Sequence, residues 1–548
     1  MLSSGQEPRA RGLGWLGWLV LAVAWFVTLQ IRPLFDPDEG RYAEIPREMA
    51  ASGDWLTPRL DGLKYFEKPP LQYWASAAAM SVFGMSEWTA RLWTVGLAFA
   101  CLPMVFGWTR RLYGTDAALG AVLALGVSPY FGIVGHLNLL DAGFAFWLTG
   151  AVFAFTLAQS CAVGGRDERR WMLLAWLAAA LAILSKGIVV GVLAGGSLIL
   201  YSLIERDPRP WKRLHLATGL PLFLLIGAPW FIAVSVRNPD FPRFFFIHEH
   251  FARFLTTVHQ RVEPWWFFLP PLLLGVLPWG LPVVGACRAA WSDAGTPPAQ
   301  FKPLRFLLIF AAFTLLFFSA SGSKLAPYIQ PMFPPLAAIW GAYVAARPGS
   351  LRRTTVITAA LVILVGSGLL VYAAIHNSFV PQGALVWVGT AMVALLGAAV
   401  TMWVRSPNAA SPGAVVVAAA AGALAWQCVL AALAVIPPAR SARDLVAAVK
   451  PYVHPQTALY SVGQYRETIS PYLQRTLTLV QFEGELEFGL RAEPGRQFAA
   501  PADFVTRWNS STDAVAFFGP KLWDEYRQRG LPGRVIAADH YTVAVSRS

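Results

Sequence analysis

The chain has 548 residues, of which 56% are hydrophobic and 14% charged, with a mean hydropathy of +0.49. Soluble domains carry nearer a quarter charged residues, so composition excludes a water-soluble enzyme and indicates a polytopic α-helical membrane protein. The formal charge of +13 does not indicate nucleic acid, because the positives form no basic stripe and many lie in short loops between apolar runs, where they set membrane topology. Cys101, Cys161, Cys287 and Cys428 lie in or beside apolar segments and show neither metal-ligand spacing nor a disulfide framework.

In chain order, the first apolar segment, Trp15 to Ile31, lacks a small-x-small cleavage site and reads as a retained anchor. A helix needs about 20 apolar residues to cross the hydrocarbon core, and on that rule about thirteen spans are expected. They fall near 14–34, 88–109, 116–136, 139–160, 170–185, 187–204, 214–236, 265–287, 304–321, 325–345, 354–375, 383–403 and 413–436. Ser185-Lys186-Gly187 divides the 170–204 stretch into two short helices. Alternate loops carry Arg110/Arg111, Arg166/Arg169/Arg170, Arg206/Arg209/Lys212/Arg213, Arg347/Arg352/Arg353 and Arg405, and the positive-inside rule assigns them to the cytoplasm. The long segments 35–87 and 237–264 then face outward with the tail. The expected division is a membrane region, 1–437, and a soluble domain, 438–548. In that tail ARSARDLVAAVK predicts an amphipathic helix, TALYSVG, TLTLVQF and DAVAFFG predict strands, KLWDEYRQRG a helix, and VIAADHYTVAVS a last strand. Strands alternating with helices predict a small α/β domain.

The outward segments carry positive charges where topology disfavours them: Lys68, Lys186, Arg253, Arg261 and Lys324. Each alone is explained by snorkelling toward lipid headgroups. As a set beside span ends they suit an anion that recurs there, such as a lipid phosphate. In YFEKPPLQYW the Pro-Pro pair predicts an extended Glu67-Lys68 with side chains on opposite sides. FFFIHEHFARF is not an HExxH zinc motif, since His248 and His250 diverge on a regular helix, and Glu249 and Arg253 have the spacing of a simple i,i+4 pair. HLNLLDAGFAFW places Asp141 near the outer end of a span, where an ionisable group is costly unless it faces a polar cavity. SGSKLAPYIQP adds Lys324 and Tyr328, on one helix face if the helix has begun there and otherwise in a loop at the membrane rim.

Together these stretches resemble the lipid A aminoarabinose transferases, a family of the GT-C class with the protein O-mannosyltransferases as cousins. DPDEGRYAEIPREMAASGDWLTPRLDGLKYFEKPPLQYW is similar to the family's first outer loop, and HLNLLDA, SKG, FARF and SKLAPY follow in matching order. The resemblance implies a GT-C fold with periplasmic juxtamembrane helices. It also implies a donor, undecaprenyl phosphate carrying 4-amino-4-deoxy-L-arabinose, and a lipid A phosphate as acceptor. Transfer is expected to invert the anomeric carbon on the periplasmic face of a Gram-negative inner membrane, lowering the charge of lipid A and conferring resistance to polymyxin and cationic peptides. Asp38, Asp141 and Glu67 are the implied catalytic residues. Lys68, Arg253, Tyr328, Arg41 and Tyr65 are expected to bind substrate, with Lys186 and Lys324 joining them as outward cations. Glu67 and His248 correspond to a divalent-metal site compatible with zinc. No nucleotide is expected, since no Gly-rich phosphate loop is present. The expected partners are the lipid-linked sugar, lipid A and membrane lipids, and the expected state is a monomer.

Asp36-Pro37-Asp38-Glu39 has the form of a capping box, with Asp36 at N-cap, Pro37 at N1 and Glu39 at N3. Asp38 is left at N2, where the positive end of the helix favours its ionised form. A lipid A phosphate is already an anion and needs little deprotonation. Asp38 therefore suits a counter-ion for the donor's 4-amino group, with general base as the other role. Rival readings are a GT-C transferase using another polyprenyl-phosphate sugar or a protein hydroxyl, and a polytopic lipid flippase. A flippase would be marked by inverted repeats, which the sequence does not show. A membrane-anchored scaffold leaves the outward charges unexplained.

Overall fold

The computed structural model describes residues 13–547 apart from 253–262, 278–281, 296–299, 348, 376–380, 407–409, 439, 483, 495–496 and 499. The chain forms two units, one from Met1–Thr28 and Thr94–Ala432, the other from Leu29–Trp93 and Leu433–Ser548.

Among the described residues, seven helices are long and apolar enough to cross a membrane: Glu87–Tyr113, Leu140–Ser160, Leu216–Arg237, Pro303–Ala320, Ser350–Gly368, Gln382–Arg405 and Pro412–Val435. Thr115–Val127 and Pro129–Gly135 pass that test as a pair bent by 64°. The bend follows from Ser128-Pro129: the residue before a proline leaves the helical region, and the Ser128 hydroxyl accepts from the Phe131 N–H to start the next helix. Among the described residues these helices do not by themselves confirm the count of about thirteen expected from apolar length, because several expected spans are short or interrupted. Segment 265–287 contains Leu269–Val276 and the start of Pro282–Trp291, with 278–281 outside the described residues. Segment 325–345 opens as a 3-10 helix, Ala326–Met332, before Phe333–Ala345. Trp15–Phe26 and Val189–Glu205 are shorter apolar helices. Small residues let helices meet backbone to backbone: a Cβ on Gly341 would lie 2.3 Å from the Ala117 carbonyl oxygen.

The second unit joins the first long loop to the tail. Its loop part begins at a buried carboxylate, Glu39, which receives Arg32 Nη2 at 2.9 Å, Arg91 Nε at 2.9 Å and the Phe35 N–H at 3.0 Å. Arg91 also donates to the carbonyls of Leu29, Arg32 and Pro33, so the loop's entry is tied into one polar knot. Burial opposes the Glu39 charge, but the two guanidiniums outweigh it and hold the carboxyl well below the usual range. Removing one partner from such a buried pair costs about 3–5 kcal/mol. Helix Asp38–Ser52 follows, then a hairpin of β1 (Arg59–Leu60) and β2 (Leu63–Lys64). The hairpin turns through Asp61 and Gly62 at φ 55° and 77°, the left-handed pair that an Asp-Gly turn supplies.

The tail builds a six-stranded sheet from β3 (Ala458–Val462), β4 (Thr478–Val480), β5 (Gln497–Phe498), β6 (Ala514–Phe518), β7 (Arg534–Ala538) and β8 (Val543–Ser546), in the order β5-β4-β3-β6-β8-β7. β5, β4, β3 and β6 are parallel, and β8 and β7 complete an antiparallel edge. The single last strand expected from VIAADHYTVAVS is thus a hairpin turning at Asp539. Alternation along β6 divides the core: Ala514, Ala516 and Phe518 pack with Phe504, Trp508 and Trp523, whereas Val515 and Phe517 pack with Leu445, Val446 and Ile469.

The loop is bound to this domain by several polar links. Asp36 accepts from Arg466 Nε at 2.7 Å and the Thr468 N–H at 2.9 Å. Asp61 accepts from the Leu477 N–H at 2.7 Å and Ser470 Oγ at 3.0 Å, and Arg59 Nη1 donates to Glu493 at 2.9 Å. At Gly40 an added Cβ would lie 2.6 Å from the Glu467 carbonyl carbon, so only glycine permits this approach. Packing therefore groups residues 29–93 with the tail, a division that differs from 1–437 and 438–548.

Asp61 has a pH consequence. Burial pushes its carboxyl up to about 8, the Leu477 and Ser470 hydrogen bonds only partly oppose this, and Glu44 adds repulsion. A raised folded value means that the neutral acid is preferred. Its stabilisation is complete below the unfolded value of about 3.9 and is lost as pH rises through about 8. Thermal unfolding of the detergent-solubilised chain should show Tm falling across that window. Asp61→Asn, which imitates the neutral acid, should flatten the fall; an unchanged slope would contradict the assignment.

Candidate functional site

The second unit gathers five of the expected residues. Helix Asp38–Ser52 begins at Asp38, with Pro37 preceding it, so Asp38 is at N1 rather than N2. The expected capping box is not formed. Asp36 turns to Arg466 and Thr468, and Glu39 reaches back to Phe35 while held by Arg32 and Arg91. Asp38 keeps 40% of its side chain exposed and accepts from Arg41 Nη1 at 3.0 Å, one helical turn on. Arg41 is itself buried, and its Nε donates to Glu485 of the tail at 3.0 Å, with Glu467 at 3.9 Å. The Tyr65 ring is buried, and burial raises its hydroxyl well above the usual phenol range against the pull of Arg41. Glu67 and Lys68 do not diverge as an extended dipeptide should. The Lys68 ammonium bonds the Glu67 carbonyl at 2.9 Å and lies 3.7 Å from its carboxylate.

The membrane unit holds the other expected residues. Asp141, in the first turn of Leu140–Ser160, pairs with Lys186, the last residue of Arg166–Lys186. The Lys186 ammonium also sits 4.4 Å from the ring centre of Tyr328. Acid, cation and phenol from three separated segments thus form one cluster. Lys324 precedes the 3-10 helix that carries Tyr328, and its ammonium bonds the carbonyls of Ser321 at 2.7 Å and Glu263 at 3.0 Å. His248 lies in a π-helical stretch, Arg243–Ala252, stacks on Phe244 and faces Glu249 at 3.3 Å. Arg253 and Arg261 lie outside the described residues.

Glu67 and His248, the expected zinc pair, fall in different units. Within its own unit Glu67 has the Lys68 ammonium beside it, and His248 has Glu249. Among the described residues, no three His, Cys, Asp or Glu side chains come together as a metal-holding group. The residues present do not support zinc at Glu67 and His248.

Residues 445–547 match the family described as aminoarabinose transferase C-terminal domain, and residues 20–245 match dolichyl-phosphate-mannose-protein mannosyltransferase. The undecaprenyl phosphate-alpha-4-amino-4-deoxy-L-arabinose arabinosyl transferase 1 of Sodalis glossinidius is 36% identical over 391 residues, covering 67% of this chain and 68% of the relative. The chain belongs to the aminoarabinose transferase family. A second aminoarabinose transferase, from Edwardsiella ictaluri, is 35% identical over 64% of each chain. The crystal structure of the Cupriavidus metallidurans family member bound to undecaprenyl phosphate superposes with a TM-score of 0.90 at 33% identity, covering 97% of both chains.

As an aminoarabinose transferase family member, the chain is an integral membrane glycosyltransferase with the family's tail domain. Sequence reasoning missed four residues that shape the site: Arg32 and Arg91, which hold Glu39, and Glu467 and Glu485, which meet Arg41. The first two lie beside apolar segments and resemble topology charges; the tail pair carries no local motif. For the membrane cluster, Lys186→Met should lower transfer by about 10- to 100-fold, the worth of a charged hydrogen bond. Adding Asp141→Asn should restore the Tm lost by the single variant without restoring transfer. Recovery of both would make Lys186 merely the partner of Asp141.

Proposed function

We propose that the chain transfers 4-amino-4-deoxy-L-arabinose from undecaprenyl phosphate to a lipid A phosphate, on the periplasmic face of a Gram-negative inner membrane. The observation that carries this reading is the 97% mutual coverage with a family member bound to undecaprenyl phosphate. An acceptor phosphate oxygen attacks the anomeric carbon from the face opposite the carrier, and the bond to the carrier phosphate breaks, so the pentosyl group is transferred with inversion. Undecaprenyl phosphate leaves with the bonding electrons. Its developing charge needs neutralising by fixed donors, the role of Lys68, Arg253 and Lys186, with the Tyr328 phenol beside Lys186. The activated lipid supplies the driving force, and no nucleotide takes part.

Asp38 acts as counter-ion to the donor's amino group. It opens the loop helix, keeps 40% of its side chain exposed and already bonds one cation, Arg41, which suits the recognition of a second. The acceptor phosphate is already ionised, so the reaction demands little deprotonation.

Mass spectrometry of lipid A from a transferase-deletion strain complemented with this chain should show added aminoarabinose. Its absence, with expression confirmed, would defeat the reading. In vitro, Asp38→Asn should lose preference for the aminated sugar over a neutral analogue. Retained preference with rate lost throughout would assign Asp38 the base role instead.

A further inference from the structure

The loop–tail junction holds more than a docking contact. Around Arg41 stand four carboxylates, Asp38, Glu67, Glu467 and Glu485, against two cations, Arg41 and Lys68. Arg41 is 4% exposed and is shared by Asp38 at 3.0 Å, Glu485 at 3.0 Å and Glu467 at 3.9 Å. One guanidinium cannot neutralise three acids, and Glu467 and Glu485 also meet each other through a side-chain hydrogen bond, one carboxyl donating to the other. Among the described residues, the acids around Arg41 outnumber the cations.

A second observation points to a ligand. The Tyr65 hydroxyl is buried with the residue 2% exposed, has no hydrogen-bond partner among the described residues, and lies within the fields of Arg41, Glu67 and Glu485. The Tyr73 hydroxyl, also fully buried and without a partner among the described residues, feels the same charges. Two orphaned hydroxyls beside an unbalanced set of acids are costly unless something polar completes them. Burial raises the Glu467 and Glu485 carboxyls above the ordinary carboxylate range, and a neighbouring carboxylate adds to the effect in each case. An added cation would relieve that repulsion.

We propose that Glu467 and Glu485 of the tail domain, together with Asp38 and the Tyr65 hydroxyl, form a subsite for a primary ammonium group on the transferred sugar. Resting on the aminoarabinose reading, this gives the tail a part in choosing the donor. An ammonium has three donors and no acceptor, which suits carboxylate oxygens and a phenol oxygen together. Glu485 acts partly through Arg41 and is in that respect a positioning residue for Asp38. Exposure fits the role as well: Glu485 keeps 19% of its side chain open and Glu467 12%.

The test compares two donors for the full-length enzyme, the lipid-linked aminoarabinose and the same molecule with its amine formylated, which is neutral and nearly the same size. Wild type should favour the amine. Glu485→Gln and Glu467→Gln should each reduce that selectivity by about 10- to 100-fold, through KM for the amine donor, the range expected of a charged hydrogen bond. The loss should fall more heavily on the amine donor than on the formylated one, and thermal unfolding of each variant alongside wild type reports the fold. Glu487→Gln, which removes an exposed pair with Arg491, serves as the control and should change neither donor. Unchanged selectivity in both tail variants, or equal loss on both donors, would overturn the proposal while leaving the transferase reading intact. If wild type used neither donor, the transferase reading would fall and take the proposal with it.

Discussion

Much of the second unit depends on what a single buried guanidinium can hold. Arg41 projects from the first turn of the loop helix, yet its strongest partner belongs to the tail, more than four hundred residues on. Buried arginine is tolerated only when its donors are satisfied, and here Asp38, Glu467 and Glu485 supply the acceptors. The same contact that docks the loop therefore orients the acid nearest the proposed chemistry. Gly40 enforces the arrangement sterically, since any side chain there would strike the tail backbone. Docking and site geometry become one constraint.

The stretch DPDE shows how neighbouring acids are separated by their surroundings. Asp36 bonds the tail through Arg466 and Thr468, Glu39 is enclosed by Arg32 and Arg91, and Asp38 alone of the three stays substantially open. Burial with two guanidiniums makes Glu39 a fixed anion with a structural task. The open acid at a helix N-terminus is the one proposed to meet the substrate. Local helix-capping logic arrived at Asp38 as well, by the wrong route: the helix starts a residue later, and the other two acids are occupied by distant arginines.

What was legible followed from periodicity and hydropathy. Apolar runs revealed the long membrane helices, and alternation in TALYSVG and DAVAFFG revealed central strands of the tail. The loop motif was specific enough to indicate the family. Bent and short helices were less legible, because Ser128-Pro129 and the 3-10 turn at Ala326–Met332 interrupt runs whose composition is uniformly apolar. The Asp61–Gly62 hairpin had a readable turn signature that apolar counting passed over. Least legible were partners distant in sequence: nothing near Glu485 announces Arg41, and nothing near Lys186 announces Asp141 and Tyr328. Residue type alone likewise does not reveal the ammonium that lies beside Glu67.

The central claim is that the loop and the tail act as one site through Arg41 and Glu485. A double-mutant cycle on the transfer rate, built from Arg41→Gln, Glu485→Gln and their combination, tests it most directly. If the residues act as a unit, each single variant should be strongly impaired and the double variant no worse than the poorer single one. Losses that simply multiply would show two independent residues and contradict the account.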